Sequence, residues 1–157
     1  MRKTNKGFTL VELVVVIAII GVLAAILVPS MLTYVRKARL KTANGNAKTA
    51  YNALAEYAAD AQIKGTPAAC AVGSGAQAVS STDGTGAGGV INEILRENGG
   101  ESGYFAWGTA NIGGNSAAIW AQWSRSENDD VYGQYPDPIQ WAKVKKGAKI
   151  AKSYTAP

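Results

Sequence analysis

The sequence contains no histidine and a single cysteine, Cys70. It therefore offers neither an internal disulfide nor the usual zinc-ligand set. A Ser-His-Asp or Cys-His nucleophile cannot be assembled either, which counts against an enzyme. One thiol does not report the redox compartment, and Cys70 is expected to be a buried free thiol. Excess charge is also scarce. Three of the 16 basic residues, Arg2, Lys3 and Lys6, precede the first apolar run, which leaves 13 against 11 acidic side chains. That balance is too even for nucleic acid to be expected as a direct partner. No cofactor is expected. At 157 residues the chain is long enough for one modest domain and hardly for two.

What the chain has instead is a long hydrophobic run. From Leu13 to Val28 every residue is apolar or glycine. About 20 apolar residues suffice to span a bilayer, whereas a secretory signal core has about 7 to 15 followed by a small-residue cleavage site. The run is too long for the latter, so it is expected to be retained. Three basic residues precede it and four follow, Arg36, Lys37, Arg39 and Lys41, so positive-inside counting gives no orientation. Gly21 lowers helix stability and permits close approach, and Pro29 removes the amide that would bond the Ala25 carbonyl. A bend is expected near Pro29, and both residues are candidate weak points of the helix. Membrane helices also simply tolerate more glycine and proline.

Beyond Pro29 the pattern turns amphipathic, with Val35, Ala38, Ala43, Ala47, Ala50, Tyr51, Leu54, Tyr57, Ala58 and Ala61 at helical spacing. The helix is predicted to end near Gly65-Thr66-Pro67. Running from Phe8 to Lys64 at about 1.5 Å per residue it would reach roughly 85 Å, more than one small domain can cover.

The leader and "GFTLVE", leading directly into the apolar run with Pro29 near its end, resemble the N-terminus of type IV pilins and pseudopilins. The match covers Lys6 to about Pro29. The resemblance implies that a prepilin peptidase cuts after Gly7 and that the new amino terminus, Phe8, is methylated. It implies a head outside the cytoplasmic membrane and subunits that membrane machinery later extracts into a helical fibre of identical or related chains, a fibre whose core is the bundled apolar helices. The lipid bilayer is the partner before assembly, and the cell surface or extracellular filament is the destination. Gly7 fits a cleavage boundary because a peptidase must admit the backbone closely, although glycine before a helix is also a common loop residue.

Glu12 admits three explanations. Thr9-Leu10-Val11-Glu12 matches the S/T-x-x-E capping box. A carboxylate in the first turn also offsets the helix dipole, by about 0.3 to 1 kcal/mol, and would offset a Phe8 amine one turn away. Alternatively Glu12 meets the Phe8 amine of a neighbouring subunit inside the apolar core. An acid at mid-membrane costs about 2.5 to 3.5 kcal/mol, which favours a partner there. Such a pair would set register more than add stability.

The remainder is predicted as a head. Thr66 to Gly89 reads as a Gly/Ala/Ser-rich loop, "GVINEILREN" as a short helix, and Tyr104–Thr109, Ala117–Ser124 and Ile139–Val144 as strands, with "KIAKSY" as a short edge strand. The acidic stretch around Asp129 and Asp130 is expected to be a solvated turn; because some pseudopilins hold calcium in this part of the head, those two residues are also weak calcium candidates. All four tryptophans, 107, 120, 123 and 141, lie here. Core packing is the expected use. Trp120 and Trp123 should face opposite sides of a strand, at least one of them exposed, which leaves a sugar-stacking platform as the alternative.

The expected fold is α+β, a long N-terminal helix packed against a small antiparallel sheet. Residues 1–7 form a cleaved leader, 8–33 a transmembrane and assembly helix, 34–64 its amphipathic continuation and 65–157 the head. The function that follows is a structural filament subunit. A pseudopilin of a type II secretion-type machine is the alternative, and a signal-anchored carbohydrate-binding surface protein a more distant one.

Overall fold

A computed structural model describes residues 7–67, 72–79, 85–98, 103–112, 115–144, 149–150 and 153–155. Residues 1–6, most of the predicted leader, and Cys70, expected to be a buried thiol, lie outside the described residues. The elements in chain order are α1 (Leu10–Ile63), β1 (Gly75–Ala78), α2 (Gly86–Glu97), β2 (Tyr104–Ile112), β3 (Asn115–Ser124), β4 (Tyr132–Tyr135) and a 3₁₀ turn (Trp141–Lys143). The strands form one antiparallel sheet in the order β1-β2-β3-β4, so the class is the α+β expected. The chain divides into two units, Met1–Arg36 and Lys37–Pro157.

In the first unit the described side chains from Gly7 to Tyr34 are all exposed, and helical structure continues through Gly21 and Pro29. The polar side chains close back on their own turn. Ser30 Oγ donates to the Leu27 carbonyl at 2.9 Å, and Thr33 Oγ1 to the Pro29 carbonyl at 3.3 Å. Hydroxyls satisfied in this way can lie in hydrocarbon without an outside partner.

In the second unit α1 buries Leu40, Ala43, Ala47, Ala50, Ala53, Leu54, Ala58 and Ala61. The predicted stripe is shifted at its start, because Ala38 is exposed and Val35 only half-buried while Leu40 begins the covered face. The helix stops where glycine permits it. Gly65 has φ +81°, its amide bonds the Gln62 carbonyl at 3.0 Å, and the Thr66 amide bonds Ala61 at 2.9 Å, a Schellman ending.

Small residues let β4 approach α1 backbone to backbone. A Cβ on Gly133 would lie 2.1 Å from the Ala43 carbonyl carbon, so no larger residue fits there without displacement. Beside it, the side chain of Asn44 acts as a clamp. Its Oδ1 accepts from the Gln134 and Ile139 amides at 3.1 and 3.2 Å, and its Nδ2 donates to the Ile139 carbonyl at 2.9 Å.

Both faces of the sheet are covered, following the two-residue period of a strand. Phe105, Trp107, Ala121 and Trp123 pack with α1 and α2, while Ala106 and Trp120 pack with Ile150 and Tyr154 of the C-terminal segment. Polar groups pin that segment in place. Gln122 and Gln134 are paired across β3 and β4, with Gln122 Nε2 donating to Gln134 Oε1 at 2.9 Å. Gln122 also donates to the Ser153 carbonyl at 2.7 Å, and Gln134 exchanges two 2.8 Å bonds with the Thr155 backbone. No buried side-chain nitrogen or oxygen among the described residues lacks a partner, which is the condition for a polar group to be tolerated in a core.

Several head expectations are corrected. The region read as loop contains β1, which has no branched or aromatic residue but gains its strand geometry by pairing with Tyr104–Trp107. Ile139–Val144 is not a strand; Ile139 spends both backbone groups on Asn44, and a 3₁₀ turn follows. The fourth strand is Tyr132–Tyr135, and the described residues of "KIAKSY" are not in a strand. The helix expected at "GVINEILREN" is present and starts earlier, at Gly86.

Candidate functional site

The start of α1 is built by three residues of the predicted motif. Gly7, Phe8 and Thr9 are exposed and have no regular structure, and a Cβ on Gly7 would meet nothing within 4 Å. Thr9 caps the helix. Its Oγ1 accepts from the Glu12 amide at 3.3 Å, and its own amide donates to Glu12 Oε2 at 2.8 Å, the reciprocal arrangement of a capping box. The Thr9 hydroxyl also donates to Oε2 at 2.7 Å. Glu12 Oε1 is left without a hydrogen-bond partner among the described residues.

The structure therefore brings Thr9 and Glu12 together and does not join Phe8 to either. In this chain the Phe8 nitrogen is an uncharged peptide amide and offers Glu12 no ion pair. The capping box occupies one carboxylate oxygen of the exposed Glu12, about one helical turn from Phe8. Around it, α1 is long and apolar enough to cross a membrane, and none of its most apolar 18-residue window is buried. Gly21 has open space around it, so the single chain gives it no close approach to protect.

The other predicted residues lie in the head. Asp129 and Asp130 belong to the turn between β3 and β4. Asp129 Oδ1 accepts from the Val131 amide at 3.1 Å, a local turn bond, and the neighbouring Asn128 accepts from Lys149 Nζ at 2.7 Å. Among the described residues no three His, Cys, Asp or Glu side chains gather as a metal site. Trp120 and Trp123 do face opposite sides of β3, but both are buried, 3% and 8% exposed, because the C-terminal segment covers the outer face. The expectation that one is exposed is thereby corrected. Trp107 fills a slot between Gly75 and Gly88 and donates its indole N–H to the Val72 carbonyl at 3.2 Å. Trp141 alone of the four is exposed, with Lys37 Nζ 5.9 Å from its ring centre.

Sequence reading passed over Asn44, Gln122, Gln134 and Gly133. The only signal was "NGN" inside a predicted helix, where asparagine and glycine have low propensity and so invite another explanation.

Residues 2–28 match the prokaryotic N-terminal methylation motif. The chain is 43% identical over 60 residues to the fimbrial protein EcpC of Eikenella corrodens, covering 38% of this chain and 39% of that one. It is 45% identical over 49 residues to the type IV major pilin protein PilA of Myxococcus xanthus, covering 31% and 22%. It is 39% identical over 59 residues to the type II secretion system core protein G of Pseudomonas aeruginosa, covering 38% and 42%. The chain thus spans less than half the length of these curated relatives. No solved structure matches it. Residues 2–28 thus carry the N-terminal methylation motif, and the chain is similar over part of its length to type IV pilins and to a type II secretion core protein.

Proposed function

We propose that the chain is the precursor of a type IV pilus-like filament subunit, a structural protein rather than an enzyme. Residues 1–7 are the leader. Prepilin peptidase hydrolyses the Gly7–Phe8 bond, and the freed Phe8 amine is methylated. Residues 8–33 anchor the subunit in the cytoplasmic membrane as a single span, with 34–64 continuing into the head formed by 65–157. Membrane machinery then transfers the subunit into a cell-surface filament of identical or related chains. In the filament the Oε1 side of Glu12 meets the Phe8 amine of a neighbour, and Gly21 and Pro29 let the helix yield during extraction.

One observation carries this reading: an apolar helical segment with no buried side chain, headed by a carboxylate that the capping box leaves half unpartnered. A single molecule cannot bury that surface, so lipid first and like helices later are the partners that fit. The test is mass spectrometry and electron microscopy of sheared cell-surface material. Filaments containing chains that begin at a methylated Phe8 are expected, and filaments of chains still starting at Met1 would overturn the processing scheme.

A pseudopilin of a type II secretion-type machine is the second reading, favoured by the similarity to core protein G. Fibres that are short or form only on overexpression would select it. The carbohydrate-binding alternative loses support, because three of the four tryptophans are core residues.

A further inference from the structure

One patch of the head is not used by the filament reading. From Leu13 to Ala55 the chain has no Asp or Glu, and its basic residues in that interval are Arg36, Lys37, Arg39, Lys41 and Lys48. Within the second unit Lys37, Arg39 and Lys41 are all exposed. At about 100° per residue, Lys37 and Lys41 stand on one flank of the buried Leu40–Ala43–Ala47 stripe and Arg39 on the other. Trp141 reaches the same level of α1. Asn44 binds both backbone groups of Ile139, and two residues later the Trp141 ring lies beside Lys37, within cation–π range at 5.9 Å. It is 36% exposed, whereas Trp107, Trp120 and Trp123 are core.

An indole and several cations only a few residues past the end of an apolar span have the chemistry of a membrane–water interface. Tryptophan concentrates at headgroup level, and cations near an anionic surface gain about 1 kcal/mol each. We infer that Lys37, Arg39, Lys41 and Trp141 form a headgroup-binding patch that seats the head on anionic phospholipid before assembly. This rests on the membrane-anchored reading above. It also accounts for a basic flank on the side of the span where lysine and arginine are ordinarily depleted, the side opposite the leader. A carboxylate-rich face of another subunit could use the same cations, but it would not need the exposed indole, so lipid is favoured.

The full-length chain is reconstituted into vesicles of phosphatidylcholine, alone or mixed with phosphatidylglycerol, and acrylamide quenching of tryptophan fluorescence is measured, with Trp141→Phe isolating the Trp141 signal. Trp141 is expected to be shielded in the anionic vesicles, with the docked-to-free ratio falling about fivefold for each of Lys37→Gln and Lys41→Gln. Shielding should also weaken at high salt. Equal quenching in both vesicle types, or shielding that follows subunit density instead of lipid charge, overturns the inference; the second result assigns the patch to subunit contact. Alkaline carbonate extraction of the same vesicles separates the two levels. A chain that remains inserted while Trp141 stays equally quenched defeats the lipid patch alone, and a chain that is extracted defeats the membrane reading and the patch with it.

Discussion

The two units of the chain satisfy their groups in opposite ways. In Met1–Arg36 the described apolar side chains from Phe8 to Tyr34 are exposed, and Thr9 with Glu12, Ser30 with Leu27 and Thr33 with Pro29 make contacts that close within about one turn. In Lys37–Pro157 the apolar groups are inside, and the decisive polar contacts join residues far apart in sequence, as Asn44 does with Gln134 and Ile139. Among the described residues, the first unit buries none of its side chains. The second builds a core from α1, α2 and the sheet, and no buried side-chain nitrogen or oxygen among its described residues lacks a partner.

The largest expected effect breaks the first unit's function without touching the second. Glu12→Gln retains an acceptor for the Thr9 amide but not the charge, so filaments should disappear from sheared material while the chain is still inserted and cleaved. Abundant filaments from this variant would leave capping as the only role of Glu12. Next comes the backbone contact in the head. Gly133→Ala should destabilise the second unit by about 3 kcal/mol, since the added methyl meets helix backbone that cannot swing aside. Denaturant unfolding followed by tryptophan fluorescence measures it, and a loss under about 1 kcal/mol would mean that β4 can retreat from α1 cheaply.

Asn44→Ala strands two amides and a carbonyl that water must then reach, for an expected loss of about 1 to 3 kcal/mol in the same assay. An unchanged midpoint would show that the clamp adds nothing beyond apolar packing. The smallest effect is a pH dependence. Tyr154 donates its hydroxyl to Asp137, and the nearby carboxylate raises the phenol above its ordinary value. A raised folded-state pKa binds the proton more tightly than the unfolded chain does, so this stabilisation is complete below about pH 10 and is lost as pH rises through the folded value. Tyr154→Phe should therefore flatten the alkaline arm of a stability–pH profile while leaving the first unit unaffected. An alkaline arm of the same slope in the variant would remove the bond from the account.

The helix, its cap and its end were legible in the sequence because each rests on neighbours within five residues. Thr9 and Glu12 needed only the i, i+3 spacing, and Gly65 only its freedom to take φ +81°. The head was legible where alternation was strong, as in Tyr104–Thr109, and illegible where pairing came from elsewhere. β1 has no strand-forming residue type, and Ile139 has one yet is taken by Asn44. The exposure expected of Trp120 or Trp123 failed for the same reason, since Ile150, Ser153 and Tyr154 come back onto the outer face.

By itself, then, the sequence determined a capped apolar helix with an amphipathic continuation and an α+β head, because hydrophobic period and caps are local properties. Only the tertiary structure decided where that helix is covered, which strand follows β3, and which tryptophan remains outside. Those depend on a glycine that admits a backbone contact and on amides that bond across about 20 to 95 residues, distances over which no local pattern carries information.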